Sequence, residues 1–360
     1  MEKGPLSVYR GRKPMKKYPL IGKCLAVGII LLFVGTCIIP AIAQDTEKTL
    51  SSRGSWLYVG GSGPGNYTKI QDAVDNASSG DTIFVYSGVY TYSKPGNRGC
   101  IDIRQKNITL LGQDKYTTIL DGNWSNGIVH VDSPIFSISG FTVRNSGSTH
   151  GPGWFGIEIG FNYNKETTIH DNIICGGHDD GIIVWGSKCS VYNNTIFGNA
   201  GAIYMNTGNG EIFNNKISEN TYGVHVVGYS FVHDNTIQNN SVGIFVEGSS
   251  KVERNQIEQN DVGVQTGNSR AKIKKNNLVD NDIQARYSNL IIFINLFLPL
   301  LYRYNWRGNY WNDWTSSQPR PIKGYWSYLS LPTFDIIGPF PSVQFDLFPS
   351  TTPYDIPGMM

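Results

Sequence analysis

The feature that most constrains the fold of this chain is an internal repeat of about 21 residues in its central part. The pattern Φ-x-x-N-x-Φ, in which Φ is an apolar residue, recurs six times at spacings of 20 to 22 residues. The repeated asparagines are Asn172, Asn194, Asn215, Asn235, Asn255 and Asn276. The apolar runs around them are too short for helices and alternate with a period of two, which predicts strands. A repeat of this length with two or three short strands predicts the coils of a parallel β-helix.

Two further features of the repeat support this interpretation. A second asparagine follows five residues after the first, at Asn199, Asn220, Asn240, Asn260 and Asn281. Asparagines at equivalent turn positions of stacked coils can hydrogen-bond to each other along the axis. Upstream, less regular strands between residues 81 and 159 predict earlier coils. Apolar residues at helical spacing in Asn66–Ala77 predict a helix that covers the open end of the solenoid.

The first 43 residues have the order of an export signal. The basic segment 1–23 precedes the apolar run Cys24–Ile39, and the small-residue sequence Ala41–Ala43 follows. This order predicts a cleaved signal peptide. The alternative is an uncleaved membrane anchor over residues 24–43, which is long enough to cross a bilayer. Both interpretations place the chain after Gln44 outside the cytoplasm.

The exported part is slightly acidic. Removing the seven basic residues and one acidic residue of segment 1–43 from the totals of 30 and 28 leaves a net charge of −4. A basic footprint for nucleic acid is therefore absent. The three remaining cysteines, Cys100, Cys175 and Cys189, form no C-x-x-C pattern, so the sequence indicates neither a disulfide framework nor a zinc site.

Several segments carry a resemblance to a known family. They are YVGGSGPGNYTKIQDAVDNASSGDTIFVYSGVY (58–90), KNITLLGQDKYTTILDG (106–122), the asparagine coils, YNWRGNYWNDW (304–314) and PYDIP (353–357). Together they resemble the right-handed parallel β-helix superfamily of pectin-lyase-like proteins, and in particular its NosD-like branch of exported archaeal and periplasmic proteins. The resemblance implies a right-handed solenoid, and the NosD-like branch is associated with copper delivery. It does not specify the chemistry, because this fold hosts lyases, hydrolases, esterases, adhesins and assembly factors.

One cluster of polar and aromatic residues is the candidate catalytic site. Its members are Trp154, Glu158, His178, Asp179, Asp180 and Trp185. Loop 145–155 departs from the regular coil length, and insertions in solenoids often gather on the binding face. Paired carboxylates and a histidine can act as general acid and base on a glycosidic bond, while a tryptophan stacks on the sugar. The alternative is that the two aspartates are ordinary turn residues and the glutamate a solvated side chain.

Two columns of outward-facing aromatic residues are candidate carbohydrate-binding surfaces. One contains Tyr204, His225 and Phe245, and the other contains Tyr192, Phe213 and His233. Each column spans three successive coils, with about 5 Å between neighbours. Such a row of rings can hold an extended polysaccharide. Alternatively, the rings only stabilise the sheet surface by packing across strands.

Candidate metal ligands are scattered over the sequence. They are His170, His178, His225, His233, Cys175, Cys189 and Met205. Copper accepts such ligands, but these residues belong to different columns. His170 and His233 share a column and are predicted to lie three coils apart, about 14 Å. The sequence therefore predicts no metal site, and copper or calcium binding, the latter at acidic turns, stays an open alternative.

The predicted organisation is an all-β chain with four parts. They are a signal peptide or anchor (1–43), a right-handed parallel β-helix (56–288), an irregular C-terminal cap (289–314) and a Pro- and aromatic-rich tail (315–360). The predicted function is an exported cell-surface protein that binds carbohydrate or another extended surface polymer without catalysis. A polysaccharide lyase or hydrolase, and a NosD-like copper assembly factor, are the alternatives.

Overall fold

Over the residues that the structure describes, the fold is all-β apart from one short helix. The computed structural model describes residues 54–92, 101–124, 127–147, 155–161, 166–186, 188–267, 270–292, 305–329 and 336–356. The predicted signal or anchor and Trp154 lie outside these residues. Within the described ranges, no helix is long and apolar enough to cross a membrane.

The described elements are one helix and thirty strands. In chain order they are β1 (Trp56–Val59), α1 (Ile70–Asn76), β2 (Thr82–Val85), β3 (Gly88–Thr91), β4 (Ile101–Arg104), β5 (Ile108–Gly112), β6 (Thr118–Asp121), β7 (Val129–Asp132), β8 (Ile135–Ser139), β9 (Thr142–Arg144), β10 (Ile157–Ile159), β11 (Glu166–His170), β12 (Ile173–Cys175), β13 (Asp180–Trp185), β14 (Lys188–Tyr192), β15 (Thr195–Phe197), β16 (Gly201–Phe213), β17 (Lys216–Ser218), β18 (Tyr222–His233), β19 (Thr236–Gln238), β20 (Val242–Gly248), β21 (Lys251–Glu253), β22 (Gln256–Glu258), β23 (Val262–Gly267), β24 (Lys272–Lys274), β25 (Asn277–Val279), β26 (Ile283–Ile292), β27 (Asn305–Arg307), β28 (Tyr310–Trp311), β29 (Arg320–Leu329) and β30 (Ile336–Asp346).

Parallel pairing between successive coils arranges these strands in three faces. Face A consists of β4, β7, β10, β13, the first parts of β16 and β18, β20, β23, β26 and β29. Face B consists of β1, β2, β5, β8, β11, β14, the last parts of β16 and β18, β21, β24 and β27. Face C consists of β3, β6, β9, β12, β15, β17, β19, β22, β25 and β28. Strand β30 pairs antiparallel with β29.

Alternate residues of each strand fill a continuous apolar core. On β16, Ile203 and Met205 are buried and pair in register with the buried Val224 and Val226 of β18, while Tyr204 between them points outward. Each fully buried aliphatic side chain stabilises the fold by roughly 1.5–3 kcal/mol relative to exposure. The core therefore holds neighbouring coils in one register and fixes which side chains form each outward column.

The predicted asparagine ladders are present. Asn215 donates from its backbone N and from Nδ2 to Asn235 Oδ1, at 3.0 Å each. Asn235 makes the same contacts with Asn255, at 3.1 and 2.9 Å. The residue before each ladder asparagine has positive φ, as Asn214 and Asp234 do (54° each), and so turns the asparagine inward.

The ladder that contains Asn215 and Asn235 ends on a buried carboxylate. Asn309 donates from its backbone N and from Nδ2 to Asp346 Oδ2, at 3.0 Å each. Asp346 also accepts hydrogen bonds from Gly308 N and from Trp311 Nε1. These donors satisfy a carboxylate that is fully buried.

The N-terminal helix is shorter than predicted. It covers Ile70–Asn76, and its apolar residues Ile70, Ala73 and Val74 are buried against β1, β2 and β4. A helix at this position covers the open end of the solenoid, as the sequence predicts.

Part of the C-terminal segment is more regular than the irregular cap that the sequence predicts. Strand β27 pairs with β24 and β28 pairs with β25, so residues 305–311 form a further coil. The repeat pattern continues there as Trp306-x-x-Asn309-x-Trp311, with both tryptophans buried at the apolar positions. The pattern was hidden because indole rings replace the aliphatic residues of earlier coils. Beyond it, β29 extends face A in parallel with β26.

Candidate functional site

An outward column that begins in the first coils of face A carries both charged and aromatic side chains. Successive coils contribute Asp102, His130, Glu158, Ile183, Tyr204, His225 and Phe245. Glu158 pairs with Ile183 as the repeat predicts, and the predicted column of Tyr204, His225 and Phe245 is in register. The candidate site is therefore a single row along the solenoid axis.

A histidine–carboxylate pair occupies the beginning of this row. His130 Nδ1 lies 2.8 Å from Glu158 Oε2, and the side chains are 8% and 17% exposed. In the preceding coil, Arg104 Nε donates to both oxygens of Asp102, at 3.0 and 2.9 Å. Since Glu158 fixes one ring nitrogen, the imidazole has a defined orientation and suits proton transfer or sugar hydroxyl binding.

The repeat pattern does not identify His130 as a neighbour of Glu158. It is the outward residue of the Val-His-Val run in β7, but 28 residues separate it from Glu158. The regular repeat is 20 to 22 residues, so only the coil register reveals that the two residues are neighbours. The irregular length of this coil therefore hides the contact from the sequence pattern.

Three aromatic rings follow the pair along face A. Phe161 stacks on Trp185 with a centroid distance of 5.5 Å, and Trp185 lies 5.1 Å from Tyr204 with the two planes tilted by 57°. Tyr204 in turn meets His225 edge to face, at 81°. Phe161 is 62% exposed. The tilts leave ring surface open to solvent, which stacking on a sugar requires.

The structure separates the remaining candidate catalytic residues from Glu158. His178 is exposed and its ring contacts that of Trp124, with a centroid distance of 4.6 Å and the planes tilted by 49°. Trp124 has a φ of 55° and is another aromatic residue that the sequence did not single out. Asp179 and Asp180 follow His178 at the entry to β13. The predicted cluster is thus divided between the His130–Glu158 pair and a corner between faces C and A.

Asp180 has an unusual environment within that corner. Burial, together with the neighbouring negative charge of Asp179, raises the pKa of Asp180 from 3.8 to about 6. Its carboxylate lies over Gly201 of the next coil, where a Cβ atom would approach Oδ1 to 1.8 Å. The glycine therefore makes the room that the carboxyl group occupies.

The aromatic column of face B has a different geometry. His170, Tyr192, Phe213 and His233 stack with centroid distances of 4.8, 4.9 and 5.3 Å and interplanar angles of 2°, 10° and 3°. The rings are parallel, so each covers the face of the next. His233 is further held between Glu211 and Asp234, at 3.0 and 2.6 Å. This column is suited to stabilising the sheet rather than to stacking on a ligand.

The candidate metal ligands do not fit a copper site. Cys189 and Met205 are buried in the core, and burial raises the pKa of the Cys189 thiol to about 12. The rings of Tyr192 and Phe213 separate His170 from His233. In the part of the chain that the structure describes, no group of three or more His, Cys, Asp or Glu residues is placed to hold a metal ion.

Comparison with protein families assigns the architecture. A right-handed β-helix region matches residues 113–257. The chain is a right-handed parallel β-helix protein. A second family model, the periplasmic copper-binding protein NosD, matches residues 227–316 of this β-helix protein. No curated protein matches it in sequence.

Solved structures of the same fold are similar to this β-helix protein at low sequence identity. Pectate lyase Pel9A has 12% identity and a TM-score of 0.48, with 66% of this chain and 76% of that chain covered. The A-module of the mannuronan C-5 epimerase AlgE4 from Azotobacter vinelandii has 16% identity and a TM-score of 0.44, over 67% and 82%. The pectin methylesterase from carrot has 14% identity and a TM-score of 0.36, over 77% and 78%. Similarity at this level carries no argument about activity.

Proposed function

We propose that this protein is an exported β-helix protein that binds an extended carbohydrate along face A. The rings of Phe161, Trp185 and Tyr204 form the stacking surface, and the His130–Glu158 pair supplies the polar contacts. Export is supported by the signal-like order of residues 1–43 and by the match to a family described as periplasmic.

The observation that carries the proposal is the contrast between the two aromatic columns. In the face B column of His170, Tyr192, Phe213 and His233 the interplanar angles are at most 10°, so these rings use their faces on each other. In the face A column the Trp185–Tyr204 and Tyr204–His225 planes meet at 57° and 81°, and Phe161, which stacks on Trp185 at 24°, is 62% exposed. Of these two columns, the one on face A is therefore the better suited to stacking on a sugar.

Polar groups lie beside these rings at intervals along the same face. His130 and Glu158 lie at one end, and His225 Nε2 lies 2.8 Å from Glu247 Oε2 further along. Ligand sites typically combine apolar surface with a few placed polar groups. This arrangement suits a polymer that contacts several coils.

The test is retention on polysaccharide affinity gels. Phe161→Ala and Trp185→Ala should each increase mobility, because each removes ring surface on face A. The matched control is Tyr192→Ala on face B, which should lower the melting temperature but leave retention unchanged. Retention that falls equally in the face B variant, or that is unaffected by both face A substitutions, would contradict the proposal.

A polysaccharide lyase or hydrolase is the second candidate function, and the His130–Glu158 contact favours it. An imidazole oriented by a carboxylate can accept a proton from the glycan or from water. The assay follows new reducing ends and the ultraviolet absorbance of unsaturated products. Turnover that is lost in Glu158→Gln while gel retention persists would establish catalysis, and absence of turnover on every polysaccharide tested would leave binding alone.

A further inference from the structure

The last coils of face B carry a group of cations that form no ion pair with a described residue. Its members are Arg270, Lys272, Lys274, Lys275 and Arg307. None of them forms an ion pair with another described residue, whereas Lys251 in the preceding coil pairs with Glu253 at 2.6 Å. Four of the five are exposed and Lys274 is half-buried. We call this group the basic patch.

Register places two of these cations directly side by side. Lys274 pairs with Arg307 in the parallel ladder between β24 and β27, and on its other side with Glu253, whose carboxylate forms an ion pair with Lys251. Like charges at directly opposed positions destabilise a sheet. An anionic group above the patch would offset this repulsion, so the arrangement is suited to binding negative charge.

Exposed apolar side chains adjoin the basic patch. The Arg307 guanidinium lies 4.9 Å from the centre of the Phe348 ring. Leu347 and Phe348 are 56% and 60% exposed, and the neighbouring strand β30 adds Val343 and Phe345, which are also exposed. Aromatic and aliphatic side chains on the surface of a folded chain mark an interaction site when they form a group.

We propose that this end of the solenoid docks on an anionic lipid surface. Unpaired cations attract acidic headgroups, and adjoining apolar side chains enter the boundary with the acyl chains. An anionic polymer would need only the cations, whereas the lipid surface uses Leu347 and Phe348 as well. The surface lies away from the face A rings, so docking and carbohydrate binding are separate properties.

The test is flotation with lipid vesicles. It uses residues 53–360, because they form one compact unit that contains the apolar core of the described residues. Removing the predicted apolar anchor ensures that any binding to vesicles comes from the proposed docking surface and not from insertion of the anchor. Vesicles of phosphatidylcholine alone are compared with vesicles that contain phosphatidylglycerol, at low and high salt.

Two substitutions address the electrostatic part. The double variant Lys274→Gln/Arg307→Gln should bind phosphatidylglycerol vesicles roughly 30-fold more weakly, at roughly fivefold for each cation. The control Lys69→Gln/Lys216→Gln removes the same charge from two exposed lysines elsewhere and should bind like the unmodified protein. Circular dichroism and thermal melts check that each variant is folded.

The apolar part has its own variant and its own contrary outcomes. Leu347→Ser/Phe348→Ser should also weaken vesicle binding, by about tenfold or more. Absence of flotation by the unmodified protein overturns the proposal. The proposal is also overturned if the serine variant binds vesicles normally while the Gln double variant does not. This result indicates a site for polyanions, which retention on an acidic polysaccharide gel would identify. A dimer that the serine substitutions dissociate would show instead that a second copy covers the apolar residues.

Discussion

The asparagine ladder should contribute several kcal/mol for each rung, and Asn235→Ala measures this contribution. The Asn235 side chain is fully buried and takes part in five hydrogen bonds. Its Nδ2 donates to Ile212 O, His233 O and Asn255 Oδ1 at 2.8–2.9 Å. Its Oδ1 accepts from the backbone N and from Nδ2 of Asn215.

The magnitude follows from the groups that the substitution leaves without a partner. The Asn215 backbone N–H loses its acceptor, and the Ile212 carbonyl loses a donor, both inside the solenoid. A buried polar group that loses its partner costs roughly 1–3 kcal/mol. The small cavity adds to this cost. We therefore expect Asn235→Ala to lower the free energy of unfolding by about 4 kcal/mol.

Urea denaturation followed by circular dichroism measures this loss. Asn209→Ala is the control, because Asn209 is exposed and its side chain forms no hydrogen bond with a described residue; its effect should stay within about 0.5 kcal/mol. A loss below about 1 kcal/mol for Asn235→Ala, with an unchanged denaturant slope, would refute the reasoning. It would mean that water replaces the amide without cost.

Three further predictions concern buried groups. The pKa of Asp180 is raised to about 6 in the folded chain, so the free energy of unfolding should fall as the pH rises from about 4 to about 6. This fall is worth at most about 3 kcal/mol. Thermal melts of Asp180→Asn across the same pH range should no longer show it. Gly201→Ala should lower the free energy of unfolding by roughly 1–3 kcal/mol, since a Cβ would displace the Asp180 carboxyl group; an unchanged melt would show that this group moves freely. Cys189→Ser should cost roughly 1–3 kcal/mol by burying a hydroxyl in the core, and Cys189→Ala, measured by the same urea titration, should cost less.

The regular coils could be predicted from sequence because each position of the repeat has one physical role. Asn215 and Asn235 recur where an amide must bridge two coils, and residues such as Val224 and Val226 recur where side chains enter the core. Alternation and period alone determine such positions. The aromatic columns followed from the same register.

The candidate site was less predictable because it lies where the repeat is irregular. The 28-residue interval between His130 and Glu158 conceals their contact, and His178 contacts Trp124 across a corner that no period describes. The orientation of the aromatic rings could not be predicted from the sequence either. Tyr192 and Tyr204 occupy similar outward positions, yet one is covered by its neighbours and the other is tilted away from them.

The carboxylate of Asp346 ends the asparagine ladder that contains Asn215 and Asn235. Asn215 and Asn235 each donate from the backbone N and from Nδ2 to the asparagine of the next coil, so Asn309 at the end of the ladder needs an acceptor. Asp346 meets that requirement at Asn309. A further asparagine at this point would bring its own N–H groups and need an acceptor in turn, which a carboxylate does not. One side chain thus ends an array of hydrogen bonds that could otherwise continue from coil to coil.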